Sequence, residues 1–168
     1  MSVEMYLHIE GVEGTSRHRG YRGCIDVLSY TWGLARSRRP EGKPPGQITT
    51  GNALSLEKMI GIDSAALMDF CAAGTIVPCV TLSIVPTVSR REVQQKYAEI
   101  TLRDVAIKSI TTSGAIENDG IRERLELRFN KLRFDYFAPV SADTSAPGAA
   151  VNRSAFEYDF ATQAAPPA

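Results

Sequence analysis

The 168-residue chain lacks an excess of charge of either sign, because 19 basic side chains balance 19 acidic ones. Dedicated nucleic-acid-binding proteins usually have a strong basic excess, so this balance argues against that class. No apolar run approaches the length of a membrane span, and membrane insertion is not expected. The N-terminal MSVEMYLHIEGVEG lacks the basic start and apolar stretch of a secretory signal. If the protein leaves the cell, we expect it to leave folded or through a dedicated machine.

Metal ligands and reactive groups are also scarce. The three cysteines, Cys24, Cys71 and Cys79, are odd in number and show no Cys-x-x-Cys spacing, so they are predicted to be free and to carry no metal. The two histidines have no partners suited to a metal site, and no cofactor is expected. The sequence contains no Gly-x-Ser-x-Gly, Gly-x-Gly-x-x-Gly or phosphate-binding loop. We therefore do not expect an enzyme, although a triad assembled from residues distant in the sequence stays an open alternative.

What the chain does have is alternation of apolar and polar residues, most clearly in IRERLELRFNKLRFDYF from Ile121. Apolar residues stand two apart as far as Phe129 and again from Leu132, a period that predicts a strand with one wetted face. The step of three between Phe129 and Leu132 changes the parity. We interpret this step as a β-bulge at Asn130–Lys131 that bends one long strand, with a hairpin turn at the same position as the alternative.

The remaining pattern predicts further strands and one helix. Strands are expected at 5–9, 24–33, 80–85, 97–110 and 155–160, and the segment 53–60 is expected to be extended. In the 24–33 strand, Leu28 is assigned to the apolar face. The Glu117–Gly120 turn predicts an antiparallel hairpin between the 97–110 strand and the run after it. The helix is predicted at about 64–73, with Asp63 or Ser64 as N-cap and a glycine at its end.

Two segments are predicted to be irregular. Residues 35–52 hold three prolines and three glycines, which favours a long exposed loop. Residues 163–168 are predicted to be a disordered tail. The fold class that follows is a single mainly β domain of residues 1–162, either a closed or nearly closed antiparallel β-barrel or a tight sandwich, with one α-helix covering a flank or an end.

A second interpretation uses the basic residues of the 17–22 and 36–43 loops. Together with Tyr30 and Trp32 as stacking surfaces, these residues could form a single-strand-binding barrel. The neutral charge of the whole chain favours solvated loops, with both aromatic residues in the core.

Taken in order, six segments resemble the Hcp family (haemolysin-coregulated protein), the tube subunit of bacterial type VI secretion systems. They are MSVEMYLHIEGVEG, CIDVLSYTWG, ALSLEKMIGIDSAALMDFCAAG, YAEITLRDVAIKSITTSG, RLELRFNKLRFDY and FEYDF. The resemblance covers the chain to about Thr162. The 36–46 loop is more basic and richer in proline than the glycine-rich loop of the family.

The resemblance implies a compact antiparallel β-barrel of two packed sheets with one flanking α-helix. It also implies a homohexameric ring and rings stacked into a tube. It further implies a spike protein at the tip, a contractile sheath outside, effector proteins in the lumen and no catalytic site. The protein would be made in the bacterial cytoplasm and exported to the extracellular space or a target cell. No nucleic acid is expected as a partner.

Two sets of residues are hypothesised to serve this assembly. The first set comprises small polar residues that would face the lumen, namely Ser29, Thr31, Thr81 and Ser83. The second set comprises ring or subunit contacts on the two basic loops, namely Arg19, Arg22, Arg38, Arg39, Pro40 and Lys43.

Overall fold

A computed structural model of the chain describes residues 2–38, 41–42, 46–87, 96–116, 120–138 and 153–165. Within these ranges the chain forms eleven strands and one helix, α1 (Ser64–Ala73). The strands are β1 (Val3–Ile9), β2 (Ile25–Val27), β3 (Ser29–Thr31), β4 (Leu34–Arg38), β5 (Gln47–Gly51), β6 (Leu54–Met59), β7 (Ile76–Pro86), β8 (Ala98–Ser113), β9 (Arg122–Arg128), β10 (Lys131–Phe137) and β11 (Arg153–Asp159). The predicted class, mainly antiparallel β with one short helix, is confirmed.

The main sheet closes on itself through the 25–31 segment. Its strands follow the order β2-β1-β7-β8-β9-β6-β3, and every pairing is antiparallel. The two ends of this path, β2 and β3, are consecutive in the chain and separated only by Leu28. The segment therefore pairs with β1 through its first half and with β6 through its second half, which closes a barrel.

Leu28 corrects the predicted face of this segment. Ile25 and Val27 are buried before it, whereas Tyr30 and Trp32 turn inward after it. Leu28 itself is 46% exposed, and its N–H donates to the Glu57 carbonyl at 2.8 Å. The inward parity changes here because the segment passes from one neighbouring strand to the other.

The long alternating run bends without reversing. β9 and β10 both pair with β8, Arg128 opposite Ala106 and Lys131 opposite Arg103. A hairpin would have paired β9 with β10, so the favoured interpretation of one bending run is confirmed.

The predicted position of the bulge is wrong. Between the Arg128–Ala106 and Lys131–Arg103 pairs both strands advance equally, so the register does not slip at Asn130–Lys131. Asp104 on β8 has a positive φ of 52° at this bend, and the inward parity changes on both strands together. The register slip lies further along β8, between Ile107 and Ser109.

The barrel interior is filled by inward side chains of all its strands. Five leucines, at most 1% exposed, represent five different strands: Leu7, Leu56, Leu82, Leu102 and Leu125. Burying one such side chain contributes about 1.5–3 kcal/mol. The core is therefore formed by residues of the predicted alternating faces.

The helix lies in the predicted range and packs Leu67, which is fully buried, against the barrel. It ends at Gly74, whose φ of 64° places it in the left-handed region. The N–H groups of Gly74 and Thr75 donate to the Cys71 and Phe70 carbonyls. A cap of this kind satisfies the last carbonyls of a helix.

The predicted side-chain N-cap is wrong, because Asp63 makes no capping hydrogen bond and instead lies against Lys58. Within the described ranges there is no helix both long and apolar enough to cross a bilayer.

The prediction of a loop over 35–52 is wrong for residues 35–38 and 47–51, which form strands. β4 and β5 pair antiparallel as a separate two-stranded sheet, with Leu34 opposite Gly51 and Arg38 opposite Gln47. All five residues of β4 are exposed, so the hairpin carries no buried alternating face that the sequence could reveal.

The predicted disorder from residue 163 is wrong for the first residues of the tail. The Thr49 N–H donates to Gln163 Oε1 at 2.9 Å, and Gln163 Nε2 donates to the Thr49 carbonyl at 3.0 Å. Ala164 pairs with Asp159. These hydrogen bonds hold residues 160–164 as a turn against β5, and residues 166–168 lie outside the described ranges.

Candidate functional site

Ser29 and Thr31, two of the hypothesised lumen residues, lie on an exposed polar face of the barrel. On β6, Ser29 is opposite Glu57 and Thr31 is opposite Ser55. Outward residues of β6, β9 and β8 continue this face in register. We call the face the polar wall and define it by Ser29, Thr31, Ser55, Glu57, Lys108, Ser109, Thr111, Ser113, Arg122, Arg124, Glu126 and Arg128.

The charges of the polar wall are arranged in cross-strand pairs. Arg124 Nη2 donates to Glu57 Oε1 at 2.8 Å, and Lys108 Nζ donates to Glu126 Oε2 at 2.9 Å. Ser29 Oγ lies 3.4 Å from Glu57 Oε2. The hydrogen bond from Arg124 lowers the pKa of Glu57, and the hydrogen bond from Lys108 lowers that of Glu126. Both carboxylates are thus held in their charged form.

A cleft of about 460 Å³ opens on the polar wall. Two arginines, three glutamates and two hydroxyl-bearing residues line it, namely Arg122, Arg124, Glu57, Glu123, Glu126, Thr111 and Ser113. The lining is polar throughout, which suits hydrogen bonding and ion pairing with a polar surface.

Thr81 and Ser83, the other hypothesised lumen residues, lie on a different part of the barrel. Their strand, β7, pairs with β1 and β8 and not with β3 or β6. The structure therefore does not bring all four residues onto one face. Ser83 is only 5% exposed and its hydroxyl donates to Glu99 Oε2 at 3.2 Å, so the expectation that it presents an exposed hydroxyl is wrong.

The basic loop between β1 and β2 folds back over this second face. The Tyr21 ring stacks on Tyr6 with centroids 4.5 Å apart, and His18 lies 5.2 Å from the Tyr6 ring. Burial raises the pKa of both tyrosines above the ordinary value of 10.0. The stack holds the loop in place and leaves Arg19 and Arg22 exposed.

The hypothesised contact residues divide between two elements. Arg19 and Arg22 lie on the β1–β2 loop, and Arg38 is exposed at the end of β4. Arg38 and the two loop arginines thus belong to separate elements of the structure. Arg39, Pro40 and Lys43 lie outside the described residues.

A buried ionic cluster beneath the cleft was missed by the sequence reasoning. Lys58 is 1% exposed, and its Nζ lies 2.6 Å from Glu123 Oε2 and 2.9 Å from Asp63 Oδ2. The contact with Asp63 is ionic, since its angle does not meet hydrogen-bond geometry. Ser64 Oγ donates to Glu123 Oε2 at 2.7 Å and accepts from the Gly61 N–H at 3.0 Å.

The signal for this cluster was present in the alternation. Lys58 follows Leu54 and Leu56 at the buried parity of β6, and Glu123 precedes Leu125 and Leu127 at the buried parity of β9. Two opposite charges at inward positions of neighbouring strands indicate a buried pair.

The cluster ties the segment before α1 to the barrel and is not arranged for catalysis. Lys58 Nζ is 3.3 Å from Ser64 Oγ, but the hydroxyl already donates to Glu123 and the ammonium is ion-paired on two sides. Neither group is available as nucleophile or base. In the described part of the chain, no three His, Cys, Asp or Glu side chains are grouped to hold a metal ion.

The positions of Tyr30 and Trp32 argue against the nucleic-acid-binding alternative. Both are half-buried and pack against the barrel core. Their rings are therefore not presented as a free surface for stacked bases, which removes one of the two features behind that interpretation.

Among the described residues, some strand edges have no partner strand. β11 pairs with β10 on one side only, and the β4–β5 hairpin is a sheet of two strands. An unpaired edge presents a row of N–H and C=O groups that another chain can satisfy.

Comparison with known proteins places this geometry in one family. Residues 6–136 match the family model described as "Type VI secretion system effector, Hcp". The chain is 30% identical over 153 residues to "Protein hcp1" of Pseudomonas aeruginosa, covering 90% of this chain and 93% of that protein.

Solved structures share the fold at lower identity. The crystal structure of Hcp1 from Salmonella typhimurium aligns with a TM-score of 0.77 at 23% identity, over 97% of this chain and 98% of that one. A type VI secretion system effector from Yersinia pestis aligns with a TM-score of 0.68 at 22% identity, over 92% and 98% of the two chains. The resemblance seen in the sequence is confirmed: the chain belongs to the Hcp family, whose members are non-enzymatic structural proteins secreted by type VI secretion systems.

Proposed function

We propose that this chain is the tube subunit of a type VI secretion system. Six copies close into a ring, rings stack into the inner tube, and effector proteins travel in the lumen. A contractile sheath drives the tube, capped by a spike protein, from the bacterial cytoplasm to the outside or into a target cell. The observation that carries the proposal is the family match over residues 6–136, together with 30% identity to a full-length relative.

The free strand edges support self-assembly. A ring forms when one patch of a subunit meets a different patch of the next and the rotation closes, and the same head-to-tail logic along the axis gives a tube. In the part of the chain that the structure describes, β11 has a partner on one side only, and neighbouring copies joined at such an edge would form a continuous wall. Within this arrangement Arg19, Arg22 and Arg38 serve as ring or subunit contacts because they are exposed at the ends of projecting elements.

The polar wall is assigned to the lumen. It carries Ser29 and Thr31 with the serine and threonine hydroxyls of β6 and β8, and it is bordered by the apolar Met59 of β6, opposite Arg122. Such a surface stays hydrated and holds cargo weakly. Thr81 is a less direct candidate, since it lies between β1 and β8 on another part of the barrel.

Native mass spectrometry tests the assembly. The expected result is a dominant species of six times the 18.3 kDa chain mass, with multiples of it as rings stack. An Arg38→Glu variant should reduce the larger multiples if this residue contacts a neighbour, whereas Asp69→Asn on the helix should leave the distribution unchanged. A chain that stays monomeric at every concentration would contradict the proposal.

A further inference from the structure

We propose that the polar wall selects acidic cargo, and that its unpaired arginines, Arg122 and Arg128, are the residues that make this choice. The inference rests on the proposed function, because it takes the polar wall as the surface that cargo meets. It adds a chemical class of partner: proteins or peptides that present carboxylates.

The charge of the polar wall differs from that of the chain. The whole chain has 19 basic and 19 acidic residues. The polar wall has four cationic residues and two carboxylates, which are Arg122, Arg124, Arg128, Lys108, Glu57 and Glu126. Its outward charge is therefore net positive, and a ring of such faces around one axis would add these charges together.

The cations on this face fall into two groups. Arg124 and Lys108 are already engaged by Glu57 and Glu126. Arg122 and Arg128 make no ion pair among the described residues, and both are exposed. They alternate with the buried side chains of β9, so they point outward from a strand that is paired on both sides. Two cations are thus presented from a rigid position with their guanidinium groups open to a partner.

The cleft places hydroxyl groups beside the arginines. Ser113 lies opposite Arg122 and Thr111 lies opposite Arg124, so hydroxyl donors flank both arginines. Glu123 forms part of the cleft lining and is paired with Lys58 at 2.6 Å, an ammonium that it shares with Asp63. A carboxylate entering the cleft beside Arg122 would find a guanidinium that makes no ion pair among the described residues and the hydroxyl-bearing Ser113 opposite it.

An acidic polypeptide fits this face better than a nucleic acid. Glu57 and Glu126 stand among the cations and would repel a continuous row of phosphates, whereas a protein surface can offer them cations or hydroxyls. Tyr30 and Trp32 are packed against the core and provide no free stacking surface.

The outward side of β10 and β11 provides a contrast. On β10 and β11 the charged side chains pair with one another: Arg133 with Asp135 and Glu157, and Arg153 with Asp135. Lys131 pairs with Asp159. The arginines of β10 and β11 are thus neutralised, so this part of the barrel is expected to be less selective for acidic partners than the polar wall.

Fluorescence anisotropy with labelled peptides tests the inference on the full-length assembled protein. The probes are oligoglutamate, oligolysine of equal length and a single-stranded oligonucleotide. Oligoglutamate should bind more tightly than the other two, with affinity falling as salt rises. Arg122→Gln and Arg128→Gln should each weaken it about two- to fivefold, the size of one exposed ion pair. Glu126→Gln should tighten it.

Arg103→Gln is the matched control, because Arg103 is an exposed strand arginine of β8 outside the polar wall. Equal binding of oligoglutamate and oligolysine, equal losses in Arg103→Gln and Arg122→Gln, or tighter binding of the oligonucleotide would each overturn the inference. Native mass spectra of the same samples separate the two claims. Intact rings without selective binding overturn the inference alone, whereas the absence of rings overturns the proposed function.

Discussion

At the scale of single residues, Lys58 is unusual because its side chain is buried, whereas lysine side chains normally lie at the surface. It is 1% exposed and held by Glu123, Asp63 and Ser64. Lysine is almost never fully buried unless it is paired. Its ion pairs hold the segment before α1 against the C-terminal end of β6 and the N-terminal end of β9.

Lys58→Met should destabilise the protein by about 3–5 kcal/mol, because removal of one partner leaves uncompensated carboxylates in the interior. Urea denaturation of the purified variant measures the loss. Lys108→Met is the matched control, since Lys108 forms an exposed pair with Glu126 worth about 1 kcal/mol at most. Equal unfolding midpoints for Lys58→Met and the unmodified protein would contradict the structural role of the cluster.

The hydrogen bonds of Asp135 make the free energy of unfolding depend on pH. Burial disfavours its charge, but hydrogen bonds from Arg133 at 2.8 Å and Arg153 at 2.9 Å outweigh burial and lower its pKa below the ordinary 3.8. A lowered folded pKa gives stability that is complete above the unfolded value and is lost as the pH falls through the folded value.

Asp135→Asn should therefore cost about 1–2 kcal/mol at neutral pH, with both arginines partly exposed to solvent. The difference from the unmodified protein should shrink when unfolding is measured below the ordinary carboxylate pKa. Asp69→Asn on the exposed side of α1 controls for the general loss of one negative charge. A difference that stays constant down to acidic pH would contradict the ion-pair explanation.

The residue-level predictions from sequence succeeded or failed for identifiable reasons. Ser29 and Thr31 were placed on a wetted face because their strand alternates, and the structure exposes both. Ser83 alternates as well, yet the β1–β2 loop and Tyr21 fold back over that region and it is buried. Alternation identifies the outward side of a strand but does not show which loop covers it.

At the scale of elements, the bend of β8 shows what a parity change can reveal. The step from Phe129 to Leu132 indicated a bend in the 121–137 run, and β9 and β10 do follow one another along β8. β8 has a matching step of three, from Leu102 to Val105, but only the strand pairing shows that the two steps lie side by side, with Asp104 at positive φ. A parity change in one strand can come from a register slip of that strand or from a bend that it shares with its partner. The sequence of one strand alone does not distinguish the two.

The β4–β5 hairpin was unpredictable because its strands lie outside the barrel. With no buried face it has no hydrophobic alternation, and its prolines and glycines suggested a loop. Its contact with the C-terminal turn depends on Gln163, a residue in a tail of low complexity.

Gln163→Ala should release β5 from this turn. Two hydrogen bonds to the Thr49 backbone are lost, each contributing about 1 kcal/mol, so local opening becomes about five- to thirtyfold easier. Hydrogen exchange at the Thr49 amide should accelerate accordingly, while exchange in the barrel stays unchanged. Gln47→Ala, at the exposed start of β5, is the control, and identical Thr49 exchange in both variants would contradict the tether.

At the scale of the whole molecule, closure through the 25–31 segment explains why the barrel still has surfaces for assembly. One segment completes the wall by pairing with β1 and then β6, which leaves β11 and the β4–β5 hairpin projecting outside it. The sequence indicated a barrel with one helix and its family. Which edges stay free depends on pairings between distant strands, and local alternation carries no information about them.

The central claim is that copies of this chain dock around a hollow axis with the polar wall inward. A three-dimensional reconstruction from electron micrographs of the purified full-length protein tests it most directly. The expected result is a six-fold ring with an open centre, lined by β3, β6 and β9 with Thr31 and Arg122 toward the opening. A ring that turns this face outward, or particles that are single barrels at every concentration, would contradict the account.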